Sequence, residues 1–236
     1  MFKIIKPFEN KMSRRQTVIG LVYLPIHAVL LSLLLPKVFE SLGVENMDIM
    51  NMVYYGIGVL VCFVCFWSFL REGYDGLLDK LGFCLVSFMM ALGLDYLLSY
   101  AVSMILAGFS SAEASADVDL SEIAIVSSGV IRAAGIFMVP IVEEVLFRGV
   151  VFGSLHKKGR LMAYAVTIAL FAVAHTWQYV AASGDWGYWV YALQYIPFGI
   201  AACWLYERTN TIWLPIGFHM MINAMSFAVE NMLANM

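Results

Sequence analysis

Hydrophobic positions run along this chain in long unbroken stretches, without the alternation of a half-buried strand. The stretches 17–36 and 49–70 each hold enough apolar residues for a helix crossing a ~30 Å hydrocarbon core. A barrel strand would alternate lipid-facing and lumen-facing residues over about 10 positions. Backbone groups in lipid must find partners within their own segment, so the pattern predicts helices. Seven spans are expected, at about 17–36, 49–70, 81–107, 123–153, 161–182, 187–206 and 211–233. The fourth is long and carries Pro140, which predicts a tilt, a kink or an extension beyond the bilayer. The expected fold is all-α, a polytopic membrane helical bundle of about seven transmembrane helices.

Composition narrows the class further. Of 236 residues, 62% are hydrophobic and 13% charged, and the mean hydropathy is +0.82. An ordinary soluble domain has about 25% charged residues. This chain therefore lacks the charge to cover a water-facing surface. The net charge of −3 carries no basic excess, so nucleic acid is not an expected partner. The lipid bilayer is one.

Charge also sets an expected orientation. With the N-terminus in the cytoplasm, the inner segments hold Lys3, Lys6, Lys11, Arg14, Arg15, Arg71, Lys80, Lys157, Lys158, Arg160 and Arg208, and the outer segments hold Lys37. The acidic residues Glu40, Glu45, Asp48, Glu113, Asp117, Asp119 and Glu122 fall outside. A multi-pass cell-membrane protein with a cytoplasmic N-terminus is the expectation. The basic N-terminus resembles a signal peptide, but the run after it is too long and no small-residue cleavage site follows, so an uncleaved first span is expected. Cys62 and Cys65 form a C-x-x-C pair inside an apolar span, where nothing lowers a thiol pKa, so they are read as packing residues.

Ionisable groups inside spans need an explanation, since each costs about 2.5–3.5 kcal/mol on insertion scales. Asp95 and Arg132 lie at similar depth on the third and fourth spans, and a structural ion pair between them is expected, with outward snorkelling of Arg132 to the interface as the alternative. His27 stands alone among apolar residues and is read as a hydrogen-bonded structural histidine. The others form a group. Glu144 and Arg148 are four apart with the acid first, the favourable order for an intrahelical pair. Glu143 lies ~100° around the helix, off that axis, and is free to take a proton. His175 on the fifth span, and His219 with Asn223 one turn later on the seventh, fall near the same depth. Glu143 with His175 would activate a water, while His219 and Asn223 would donate to a tetrahedral oxyanion. Two histidines and a carboxylate also match a catalytic zinc set, but H-E-x-x-H is absent. The reading favours metal-free chemistry with no cofactor, and zinc is the alternative.

At these residues the chain resembles a family. Glu143-Glu144-x-x-x-Arg148, Phe171-x-x-x-His175 and His219-x-x-x-Asn223 are similar, in this order, to the three motifs of the CPBP intramembrane proteases. These are the CAAX proteases and bacteriocin-processing enzymes, also called the Abi or type II CAAX prenyl endopeptidase family. Pro140, Phe147-Arg148-Gly149 and Trp213-Leu214-Pro215 fit the flanks. The resemblance covers about residues 123–226 and divides the chain into 1–122, three transmembrane helices and their loops, and 123–236, a CPBP-like catalytic helical core. It implies an intramembrane endopeptidase acting on a peptide or membrane-protein substrate. In that reading Glu143, Glu144, His175, His219 and Asn223 form the catalytic set, with Arg148 in support. The competing expectation is a non-catalytic immunity or scaffold protein that binds a peptide or partner. A transporter ranks last, because the sequence has no internal repeat. The sequence sets no oligomeric state.

Overall fold

A computed structural model describes residues 7–113 and 128–234, and Lys3, Lys6, Asp117, Asp119 and Glu122 lie outside the described residues. Within them the chain is helical, with no strand. The elements are α1 (Arg14–Pro25), a π-helical segment (Ile26–Leu31), α2 (Ser32–Ser41), α3 (Met47–Cys65), α4 (Trp67–Leu78) and α5 (Leu81–Glu113). After them come α6 (Gly129–Glu144), a second π-helical segment (Val145–Phe152), α7 (Gly153–His156) and α8 (Arg160–Ser183). A 3₁₀ helix (Trp186–Tyr195), α9 (Ile196–Thr209) and α10 (Trp213–Ala234) complete the chain.

Polar residues set the helix ends. Ser13 and Gln16 form a reciprocal capping box at the start of α1. Asn46, Ser128 and Asp185 each accept backbone N–H bonds that would otherwise be orphaned at the starts of α3, α6 and the 3₁₀ helix. The last turns of α8 and α9 close on Gly184 and Asn210 in the left-handed conformation.

Four described helices are long and apolar enough to cross a membrane: Arg14–Ser41, Met47–Cys65, Leu81–Gly108 and Arg160–Ser183. The protein is an all-α membrane bundle, and outward-facing side chains such as Val18, Leu21, Val22, Leu85, Val86 and Met89 are apolar, as lipid contact requires. The other three expected spans are interrupted or shorter, and the second differs in detail. The second stops at Phe66, whose backbone leaves the helical region, and α4 starts as a separate helix at Trp67. The fourth changes pitch after Glu144, where the π segment begins. The sixth is divided between the 3₁₀ helix and the 14 residues of α9.

α4 explains a further departure. The turn joining α9 to α10 does not reach the bundle surface: Thr209, Thr211 and Ile212 are buried. Thr211 Oγ1 donates to the Gly73 carbonyl at 2.6 Å and Trp213 Nε1 to the Leu70 carbonyl at 2.8 Å, both on α4. The Asn210 amide pairs with the Glu9 backbone. The N-terminal segment thus lies over this end, with Phe8 seated against Phe152, His156 and Tyr206. Beside it, Glu207 accepts from Arg160 Nε at 2.7 Å, Arg160 Nη2 at 2.9 Å and Tyr164 Oη at 2.7 Å, and pairs with His156 Nε2 at 2.8 Å. Partial burial pushes the Glu207 carboxyl up, but these bonds outweigh it and hold the group below its ordinary value.

The two halves of the chain share one core. α3 packs along α6, and Cys62, Phe66, Phe69 and Leu70 are buried with Val142, Val145, Leu146 and Val150. At the crossing, a Cβ on Gly58 would lie 2.8 Å from Val142 Cγ2 and 3.0 Å from His27 Cε1, so only glycine permits this approach beside the acid pair.

Candidate active site

Glu143 and Glu144 close α6, three and four residues after Pro140, where the helix lacks one N–H. The π segment starts at the next residue. Such wide turns recur at functional sites because they re-aim side chains within an otherwise continuous helix. The expected intrahelical pair forms: Arg148 Nη1 donates to Glu144 Oε1 at 2.9 Å, and both side chains are fully buried. The guanidinium carbon lies 4.5 Å from the Phe171 ring centroid and 5.0 Å from that of Phe198. Arg148 is thus clamped between two aromatic faces as well as paired.

Glu144 Oε1 has a second partner, His219 Nδ1 at 2.9 Å. A carboxylate only accepts, so Nδ1 carries a hydrogen, and in the neutral ring Nε2 presents its lone pair. The same logic fixes His175, whose Nδ1 lies 2.8 Å from the Phe171 carbonyl. Both Nε2 atoms face one oxygen. Glu143 Oε2 is 3.4 Å from His175 Nε2 and 3.9 Å from His219 Nε2. Three proton acceptors from α6, α8 and α10 therefore converge, and Glu143 Oε2 is buried with no hydrogen-bond partner among the described residues.

Such a pocket suits a group that brings its own hydrogens, such as a water. A donor set of two imidazole nitrogens and a carboxylate oxygen has the chemistry of a zinc site. Among the described residues, however, no group of three or more His, Cys, Asp or Glu is arranged to hold a metal ion.

Asn223 lies one turn beyond His219 on α10. Its Nδ2 donates to the Gly135 carbonyl on α6 at 2.9 Å, which leaves its second N–H for another acceptor. A Cβ on Gly135 would come within 3.1 Å of the Phe227 ring, so the bare glycine lets α10 lie close enough for this bond. The site opens on the side of His175 and Glu143, whose side chains are 24% and 17% exposed, while His219 is at 6%.

The structure thus brings Glu143, Glu144, Arg148, His175 and His219 together, while Asn223, one turn further along α10, reaches the Gly135 carbonyl. It does not join Asp95 and Arg132, and no ion pair links them among the described residues. Arg132 instead donates to Asn231 on α10, while Asp95 is buried on α5. Equal depth on consecutive spans did not make their helices neighbours there: α5 packs chiefly on α9, and α6 on α3 and α10. His27 has the surroundings of a structural histidine, stacked on Tyr54 at 4.5 Å with the Tyr23 hydroxyl 3.3 Å from Nδ1. The sequence reading gave no role to Phe198, Tyr195 or Gly135. Their only sequence signal was position: Tyr195 lies two residues before Pro197 and Phe198 directly after it, and Gly135 lies two turns before Glu143.

The family description "Type II CAAX prenyl endopeptidase Rce1-like" matches residues 125–225. The chain is also similar to "Putative membrane peptidase YdiL" of Bacillus subtilis (strain 168), at 33% identity over 85 residues. That match takes in 36% of this chain and 30% of the length of the Bacillus protein. No solved structure gives a significant match.

Proposed function

We propose, from the match of residues 125–225 to the type II CAAX prenyl endopeptidase family and the similarity to a Bacillus membrane peptidase, that this chain is an intramembrane endopeptidase hydrolysing peptide bonds of peptide or membrane-protein substrates. The observation that supports it best is the convergence of His175 Nε2 and His219 Nε2 on Glu143 Oε2. A water placed there gives one proton to Glu143 as its oxygen attacks the scissile carbonyl carbon. The His175 Nε2 lone pair accepts the water's second hydrogen and aims the attacking oxygen.

The carbonyl oxygen becomes an oxyanion, which accepts from the free N–H of Asn223. His219 also donates to it when the ring enters the reaction as the imidazolium, its Nε2 proton taken from solvent beforehand and kept throughout, and Glu144 at Nδ1 offsets that charge. The oxyanion then collapses, the peptide C–N bond breaks, and Glu143 returns its proton to the leaving amine. Side chains alone carry the chemistry. The chain lies as a multi-pass protein of the cell membrane with its N-terminus in the cytoplasm, as its lysine and arginine distribution favours.

The test is cleavage of a membrane-peptide library by the purified, reconstituted chain, with Glu143→Ala as control and a chelator arm. Cleavage lost in Glu143→Ala and unchanged by the chelator is the expected result. Loss with the chelator would replace the metal-free mechanism. No cleavage by either protein, with function in cells indifferent to Glu143, would leave a non-catalytic binding protein.

A further inference from the structure

Hydrolysis by this route depends on where His175 Nε2 points. One edge of the imidazole is held by the Phe171 carbonyl, and one face by the Phe171 ring, with centroids 4.2 Å apart and planes at 39°. Both contacts come from one residue, four positions earlier on the same helix. They move with α8 and define the ring on one side only. A second contact comes from outside: the Tyr195 ring lies 4.7 Å from the His175 centroid at 36°. Phe171 and Tyr195 also meet edge-on at 6.3 Å, so the two rings that border the imidazole brace each other.

Tyr195 is well placed to be rigid. It ends the 3₁₀ helix and caps α9, and Pro197 restricts the backbone that follows. Pro197 and Phe198 are buried, and Phe198 packs on both His219 and Arg148. The element that carries Tyr195 to His175 is thus the same one that seats the other half of the site.

We propose that Tyr195 is a positioning residue for hydrolysis: its ring holds the His175 imidazole so that Nε2 faces Glu143 Oε2. The proposal rests on the reading in which Glu143 and His175 activate water. It assigns the role to the aromatic face and none to the hydroxyl. Without the ring, the imidazole can turn about its own bond, the 3.4 Å approach to Glu143 is lost for part of the time, and turnover falls. Substrate binding does not depend on this orientation, so KM stays unchanged.

Two variants of the full chain test it, Tyr195→Phe and Tyr195→Leu, with two readouts. The first is turnover on a peptide from the library that the native chain cleaves. Tyr195→Leu is expected to lower kcat about tenfold with KM unchanged, and Tyr195→Phe to stay within about twofold of native. The second needs no substrate. The chain has four histidines, so ¹⁵N-histidine NMR in detergent resolves His175, assigned with His175→Gln. Its Nδ1–H tautomer signal is expected to persist in Tyr195→Phe and to shift or broaden in Tyr195→Leu, while the His27 and His156 signals stay in place as controls of folding.

A native-like His175 signal and kcat in Tyr195→Leu would overturn the proposal. So would equal losses in both variants, which would place the effect in the hydroxyl, or a change in KM alone. If the native chain cleaves nothing, the protease reading fails by itself, and the NMR arm still decides whether Tyr195 orients His175.

Discussion

Replacing Arg148 by methionine removes one member of a fully buried pair while keeping a side chain of similar length in the slot between Phe171 and Phe198. Glu144 then keeps only His219 as a partner at Oε1. Truncating one side of a buried ion pair costs about 3–5 kcal/mol, because the remaining charge is uncompensated. The surviving His219 bond places Arg148→Met near the lower end, at about 3 kcal/mol. For a chain of this size that lowers the unfolding midpoint by roughly 6–12 °C. Converting Glu144 to leucine as well removes the orphaned charge. The double variant then loses the bond to His219 Nδ1, at about 1–3 kcal/mol, and the guanidinium's contact with the two rings, against which the better packing counts. Tryptophan fluorescence during thermal unfolding in detergent reads both proteins, and the library assay reads activity. The expected pattern is a destabilised single variant and a double variant that regains stability yet cleaves nothing, because His219 has lost the group that fixes its tautomer. An Arg148→Met protein within about 2 °C of native, or a double variant no more stable than the single one, would refute the reasoning.

Three other outcomes follow from the geometry. Gly135→Ala drives a Cβ toward the Phe227 ring and is expected to cost about 1–3 kcal/mol and to slow cleavage, with Phe227→Ala added in the same chain recovering both in thermal unfolding and turnover assays. Glu207 is held below its ordinary value of 4.5, so its bonds stabilise the fold fully above about pH 4.5 and are lost as pH falls through the lower folded value; the gap in unfolding midpoint between native and Glu207→Gln should shrink over that acid range. Cys62, Cys84 and Cys203 are free thiols with no exposed surface, and a maleimide is expected to modify them only after unfolding, as followed by mass spectrometry.

What the sequence made legible was mostly local or categorical. Apolar length and low charge identified a membrane bundle, because lipid leaves the backbone few alternatives. Glu144 and Arg148 were readable as a pair because four residues on one helix fix their separation before any tertiary contact forms. Glu143, His175 and His219 were brought together only by a depth estimate, and that estimate assumed that all spans begin at the bundle surface. His219 is six residues from the start of α10 and His175 fifteen from the start of α8, yet both reach Glu143. They meet because α10 begins deep, beneath α4. Nothing in the apolar run 49–70 announces that Phe66 will break the helix and send α4 across the end of another hairpin. The Tyr195 and Phe198 rings were invisible for a related reason: an aromatic in a hydrophobic helix has the same sequence signature whether it meets lipid, core or a catalytic imidazole. The expected Asp95–Arg132 pair failed because depth restricts height along the bundle and says nothing about which helices stand side by side.

The covered turn between α9 and α10 bears on how this protein is mapped experimentally. Single cysteines at Thr209, Thr211 or Ile212 would resist a water-soluble label even if that turn belongs to the cytoplasmic side, because Gly73, Leu70 and the α4 backbone lie over it. If α9 and α10 each cross the membrane, a labelling survey would record one dipping loop in their place, and its count would come out short by two. Labelling repeated after α4 is loosened, for instance with Trp213→Phe to remove its bond to Leu70, would separate a truly lipid-embedded turn from one that is merely roofed.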